Sequence, residues 1–426
     1  MYPNPTFMRM KSITKNGFLS VFLFFNILVK AQVTGCTDPL ASNYNSLATV
    51  NNGSCLYTSS TVTPSISYTL SPIIDETSGL IYYDNHLWTH NDNSDNAIYK
   101  IDTINGSITQ TVSLNPVINK DWEEISQDSL YVYIGDFGNN VNGNRTDLHI
   151  LRISKSSLLT STPIIDTIYF SYSNQTNFSA TGANQTDFDC EAFVVTNDSI
   201  FLFTKQWVSL KTTVYSLPKL PGTYSAQLKQ TYNVQGLITG ANLLKNKQLI
   251  VLSGYSNTLQ PFLSLLYDYP QTNFFGGNKR KLTLNLPFHQ IESITTKNGL
   301  TYYATNEYFS SGSIVVPQKL HIFDLSNYTQ SYLTPNISAS LKDDQTKNRL
   351  SFFPNPAQQQ ITITNQGLIN ENTTYTIINC LGETVLQSSI DSHNKSIDIS
   401  KLNQGVYLIK LNNDNSPGFK LIKTNN

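Results

Sequence analysis

The 426-residue chain carries 28 Lys and Arg against 29 Asp and Glu, a formal net charge of −1, and only 13% of its residues are charged. That balance excludes a basic nucleic-acid-binding protein, and 39% hydrophobic content with 24 Tyr and 21 Phe excludes a disordered chain. Few long segments are free of Gly, Pro or β-branched residues, which leaves a polar-surfaced all-β protein.

Residues 1–31 read as a secretory signal. Arg9, Lys11 and Lys15 precede an apolar run from Gly17 to Val29, and Ala31 places a small residue before Gln32. The run is shorter than the about 20 residues that span a bilayer, so no transmembrane segment is expected after signal removal. Residues 32–58 hold Cys36 and Cys55 around a polar loop, and in an oxidising compartment this pair reads as a disulfide. Asp38, Asn43, Asn45 and Asn52 offer oxygens that suit Ca²⁺, the alternative being a solvated polar loop. The segment resembles the GCTDP-type Cys-pair modules of exported Bacteroidetes proteins.

Between residues 59 and 335 one pattern recurs: an acidic or small polar residue, an apolar pair, a turn, an aromatic-rich strand and a polar loop. It begins at Glu76, Glu123, Glu191, Thr239 and Glu292, with spacings of 47, 68, 48 and 53 residues. Each interval accommodates four short strands separated by Asn-, Asp- and Gly-rich turns. Repeated four-stranded sheets predict a β-propeller. Five blades are visible, the long second interval leaves room for a sixth, and a strand within 61–70 is expected to complete the last blade. The opening motif, clearest in Asp121–Ser126, resembles that of exported bacterial propellers over residues 70–335; the likeness implies a fold and no activity.

Residues 336–349 are polar and charged, and read as a linker. Residues 350–426 alternate short strands with Asn/Gly turns, predicting a small immunoglobulin-like β-sandwich. Pro354-Asn355-Pro356, Leu381-Gly382-Glu383, the Asp398–Leu402 run, Gly405-Val406-Tyr407 and Lys420–Lys423 resemble, in order, the type A C-terminal sorting domain of the type IX secretion system of Bacteroidetes. The resemblance implies export through the periplasm to the cell surface or medium, with the outer-membrane translocon as partner. Cys190 and Cys380 read as buried thiols.

In a propeller the first strand of each blade lines the axis, so Glu76, Glu123, Glu191, Glu292 and Thr239 are expected to converge there. Carboxylates about 8–10 Å apart repel by about 2 kcal/mol at an effective dielectric near 20. A cation, bound water or raised pKa values must offset this, and an oxygen-only set at Glu76, Glu123, Glu191 and Glu292 favours calcium or magnesium over zinc. The competing expectation is that each Glu accepts backbone N–H groups from a neighbouring blade. Loops after the second strands add His90, Asn91, Asp92, Asp136, Asn139, Asn140, Lys205, Tyr255, Asn306 and Glu307 to a polar, acidic mouth. No G-x-S-x-G, H-E-x-x-H, P-loop or G-x-G-x-x-G occurs, so no reaction is assigned. Three functions stay open: binding of a glycan, peptide or small molecule at one face, hydrolysis dependent on a divalent cation in the acidic channel, and an adhesive or scaffold role.

Overall fold

Short runs of alternating apolar and polar residues, cut by turns that demand Gly, Asn or Asp, make strands of nearly every segment. The computed structural model describes residues 32–160, 162–334, 351–364, 373–379, 381–390, 395–411 and 419–425. The signal segment 1–31, the linker 336–349 and Cys380 lie outside the described residues. The chain divides into two units, 1–335 and 336–426.

The first unit is a five-bladed β-propeller. Blade 1 comprises Thr77–Tyr83, His86–Asn91, Ala97–Ile101 and Ile108–Ser113; blade 2, Trp122–Gln127, Tyr131–Asp136, His149–Ser154 and Ile165–Tyr172. Blade 3 comprises Asp189–Val195, Ser199–Lys205, Thr212–Pro218 and Gly222–Tyr232; blade 4, Leu237–Leu244, Leu249–Tyr255, Pro261–Tyr267 and Asn278–Leu284. Thr295–Thr296, Thr301–Asn306 and Lys319–Asp324 begin blade 5. The first strands of blades 1 to 5 contact one another in sequence, and that of blade 5 returns to that of blade 1, so the ring is closed. Apolar faces between adjacent blades supply the core: Trp88, Trp122 and Ile134 between blades 1 and 2, Phe203, Ile250 and Phe274 between blades 3 and 4.

The long second interval does not contain a sixth blade. Its extra length forms loops 137–148 and 173–188, and the outer strands of blades 2 and 3 pair in parallel from Ile168↔Gly222 to Tyr172↔Ala226. That pairing covers two sheet edges that would otherwise expose unpaired backbone groups.

The N-terminal segment straddles the closure. Thr61–Val62 extends blade 4 in parallel beside Thr283 and Leu284, while Ile66–Thr69 becomes the outer strand of blade 5, antiparallel to Lys319–Ile322. His321, fully buried, secures this strand: its Nε2–H donates to Asn306 Oδ1 at 2.8 Å, and its Nδ1 accepts the Ser67 hydroxyl at 2.8 Å. Burial, with the nearby His289 and Lys319 adding to it, pulls the His321 pKa down to about 3. A histidine with a depressed folded-state pKa contributes stability at neutral pH that is lost as pH falls below about 6.5 toward 3. The cost to the native state at pH 5 is about 2 kcal/mol. Urea titrations from pH 7 to 4.5 are therefore expected to show wild type losing about that much more stability than His321→Gln; parallel profiles would refute it.

Cys36 and Cys55 form a disulfide, S–S 2.05 Å, in a loop tied by a short parallel pair, Thr34–Gly35 and Val50–Asn51. Closing a loop of this size contributes about 3 kcal/mol in the chain-entropy model. The segment is built onto blade 4. Asp38 Oδ2 accepts the hydroxyls of Tyr57 (2.7 Å) and Tyr267 (2.5 Å), and Asn51 donates to Asp268 Oδ2 at 2.8 Å. The Arg280 guanidinium lies between the rings of Tyr57 and Tyr328, the latter on the helix Ser326–Leu333 that follows the last blade. The side-chain oxygens of Asn45 and Asn52 accept backbone N–H groups of their own turns, and that of Asn43 accepts the Leu56 N–H across the disulfide loop.

The second unit has two antiparallel sheets. Ser351–Phe353, Gln360–Thr364 and Ser396–Asp398 form one; Thr384–Ile390, Thr373–Ile378, Gly405–Leu411 and Phe419–Lys423 form the other. Ile361, Ile363 and Ile397 from the first pack with Tyr375, Ile377, Ile409 and Leu421 from the second, giving the sandwich expected from the alternation.

Candidate functional site: an acidic propeller mouth

A bulge repeated in the first strands builds the site. Glu124 pairs with Gly135 and Trp122 with Asp136, leaving Glu123 as the extra residue; Glu191 and Thr239 hold the same place in blades 3 and 4. A bulge re-aims its extra side chain, which turns Glu123 and Glu191 toward the axis. In blade 5, Glu292 follows the Ile291↔Asn306 bridge. Blade 1 departs from the expected register. Its extra residues are Gly79 and Leu80, so Glu76 is not the counterpart of Glu123 and enters from the loop before the strand. Gly79 has φ +67°, and a Cβ there would lie 2.5 Å from the Ile125 nitrogen, so the inner strands of blades 1 and 2 approach too closely for a side chain.

Eight carboxyls share the mouth: Glu76, Asp92, Asp121, Glu123, Asp189, Glu191, Glu292 and Glu307. One ammonium, Lys205, lies among them, 3.1 Å from Glu191 Oε1 and stacked on Trp207 and Tyr255. Glu123, Glu191 and Glu292 are 5%, 2% and 5% exposed, while Glu76, Asp92 and Glu307 are half-buried at the rim. Burial, with mutual repulsion added, raises the pKa of all eight, Asp92 to about 8 and Asp121 to about 6. Glu123 and Glu191 are hydrogen-bonded to each other. Burial raises both, and the Lys205 ammonium opposes the rise at Glu191.

Asp189 is held by Trp207 Nε1–H at 2.8 Å and by the Asn139 amide at 2.6 Å. Gly138 passes so close that a Cβ would fall on Glu123 Oε1 and Asp121 Oδ2.

Several expected site residues are not in the mouth. Thr239 is buried and donates its hydroxyl to the Ile291 carbonyl, joining blades 4 and 5. His90, in the second strand of blade 1, turns into the core, its ring 5.7 Å from that of Trp122 and its pKa pulled down to about 4 by burial, whereas Asp92 follows the end of that strand at the mouth. Asp136 is buried against Arg145 at 2.7 Å. Asn139 accepts the Arg145 amide, and Asn306 donates to the Glu307 and Pro317 carbonyls. These three brace the loops that carry the site. Asn91 likewise donates to the Ile73 carbonyl, and the Asn140 carbonyl accepts the Asn184 amide.

One residue escapes sequence reasoning altogether. Glu124, fully buried, accepts the backbone N–H groups of Ala241 (2.7 Å) and Ile125 (3.0 Å), with that of Leu80 beside them. It joins blades 1, 2 and 4 across the channel, above a cavity of about 100 Å³ lined by Leu80, Ile125, Ala241 and Thr295. The backbone-accepting role expected of the repeated Glu is filled by its neighbour, and the Glu-Glu pair in the second repeat is its only sequence mark.

The family model of the secretion system C-terminal sorting domain matches residues 351–423. No curated protein matches the chain. Among solved structures, it is similar to the RRP9 WD40 repeats, at 10% identity and a TM-score of 0.32, covering 62% of this chain and 98% of that one. It is also similar to a chain of the mitotic checkpoint complex, at 9% identity and a TM-score of 0.33, covering 62% and 95%. Among the described residues no helix is long and apolar enough to cross a membrane. The sorting domain at 351–423 makes the type IX secretion machinery its partner, and the chain is a β-propeller protein exported to the cell surface or beyond.

Proposed function

We propose that the exported propeller is a binding protein whose mouth takes up a positively charged species. One observation carries this reading: eight carboxyls from blades 1, 2, 3 and 5 face a common opening with a single ammonium among them. Such a set is stable only with protons or bound cations, because repulsion between carboxylates at this range costs several kcal/mol in sum. Thermal melting of the purified chain with Ca²⁺, Mg²⁺, spermidine or hexalysine tests it, against KCl at equal ionic strength. At least one cation is expected to raise the Tm by several degrees, and the Asp92→Asn/Glu307→Gln double variant to lose that rise. No rise with any of the four would overturn the reading.

A hydrolytic role has one observation in its favour, the hydrogen-bonded Glu123–Glu191 pair, in which the Lys205 ammonium, 3.1 Å from Glu191, opposes the burial-raised pKa of one member only. Acid–base chemistry uses such unlike carboxyls. This reading requires a hydrolase activity that Glu123→Gln abolishes.

A further inference from the structure

The face of the propeller opposite the acidic mouth carries a second opening, of contrary character. The mouth is built by loops that follow the second strands, and this opening by turns that join the first strands to the second. In blade 4 the first strand ends in two leucines, Leu243 and Leu244, before the turn at Lys245–Lys247. Successive strand residues point to opposite sides, so Leu243 rests on the core between blades 3 and 4 and Leu244 on that between blades 4 and 5. Both nevertheless stay only half-buried. With Val195 of blade 3, Leu300 of blade 5 and Leu333 of the helix after the last blade, they wall a cavity of about 630 Å³. Small-molecule sites span about 300–1,000 Å³ and are mostly apolar, with a few polar groups that fix orientation.

The cavity leads inward. Gln127, Val195, Leu243 and Leu244 also line the small cavity beneath Glu124, so the two share a wall along the channel. Their far ends differ in charge. At the inner end stands Glu124, its carboxyl oxygens engaged by the Ala241 and Ile125 amides, and no lysine or arginine lines the small cavity. An anion finds no charged donor there.

The outer rim is basic. Lys245 and Lys247 are exposed, and neither makes an ion pair among the described residues. Lys247 reaches the Leu333 carbonyl at 3.0 Å. Among the described residues the one carboxylate in the wall, Asp128, is fully engaged. Its Oδ2 takes the Lys219 ammonium at 2.7 Å and the Tyr133 hydroxyl at 2.9 Å, and its Oδ1 the Leu130 and Tyr131 amides. Positive charge is therefore in excess at the rim, with apolar side chains below it.

We propose that this cavity binds a single-chain anionic amphiphile of the fatty-acid type, its carboxylate at Lys245 and Lys247 and its hydrocarbon chain directed toward the channel axis. Charge complementarity selects the head group, and the leucine wall selects the tail. A cationic amphiphile would set its head against two ammoniums. The site goes beyond the cation-binding reading and does not depend on it, since the two openings lie at opposite ends of the channel.

Isothermal titration of octanoate, decanoate and dodecanoate into the full chain, each below its micellar concentration, is the test, with far-UV circular dichroism establishing that each variant is folded. One molecule is expected to bind per chain, with affinity rising about fourfold per added methylene, the ratio that corresponds to burying one CH₂. Reversing both exposed charges, Lys245→Glu with Lys247→Glu, should weaken decanoate by about tenfold and leave decanol unchanged. Leu243→Asp should abolish binding of both. The Asp92→Asn/Glu307→Gln variant, altered at the other face, should bind decanoate as wild type does. Wild type without a decanoate isotherm would overturn the site. So would an affinity flat along the series, equal binding of dodecyltrimethylammonium and dodecanoate, or a decanoate affinity that the charge reversal does not move.

Discussion

Replacing Lys205 with Met is expected to destabilise the propeller by about 3–5 kcal/mol at pH 8. The ammonium is buried 3.1 Å from Glu191 Oε1, between the rings of Trp207 and Tyr255, in a field of carboxyls. Burial alone pulls a lysine pKa down; here Glu191, Tyr255, Glu292 and Asp189 outweigh it and hold the pKa well above its usual value. Without that charge Glu191 loses the one cation that opposes burial and the repulsion of its carboxyl neighbours. The loss should shrink at pH 5, where protonation of Glu191 relieves the repulsion. Lys205→Arg, which keeps the charge but misfits the aromatic slot, should fall between Met and wild type. Urea denaturation at pH 8 and pH 5 reads all three. A cost under 1 kcal/mol for Lys205→Met at pH 8 would mean that the carboxyls already hold enough protons to be neutral without it.

Glu124→Ala is expected to be nearly as costly, about 3–5 kcal/mol. The substitution strands the N–H groups of Ala241, Ile125 and Leu80 in the channel wall, and each buried donor without an acceptor costs about 1–3 kcal/mol. Glu124→Gln keeps one acceptor oxygen and should lose about half as much. Because the three donors belong to blades 4, 2 and 1, the alanine variant should also speed amide hydrogen exchange at Ala241, on the far side of the axis from the mutated blade. Equal stability of the Ala and Gln variants, with exchange at Ala241 unchanged, would show that the hydrogen bonds across the channel contribute nothing.

These two residues show where sequence reasoning reaches its limit. One bulge at one offset recurs in blades 2, 3 and 4 and gives Glu123 and Glu191 the same place in their strands. The repeat misaligned blade 1, because Glu76-Thr-Ser-Gly mimics the motif while the strand actually bulges at Gly79 and Leu80. Nothing distinguished Glu123 from Glu124: which member of an acidic pair faces the mouth and which spans the channel depends on the bulge between Trp122 and Glu124. Asp136, Asn139 and Asn306 were grouped with Asp92 by loop position, yet they brace Arg145, Asp189 and Glu307 instead.

The amino-acid sequence determined the export route, the disulfide between Cys36 and Cys55, the sandwich at the C-terminus and the propeller, since each is written in local residue order and period. The expected strand within 61–70 that completes the last blade was legible too; only the folded ring excluded a sixth blade and set eight carboxyls around the Lys205 ammonium. Those features depend on side chains from blades far apart in the chain meeting at one axis, and the electrostatic energy of such a meeting depends on distances that no local pattern encodes.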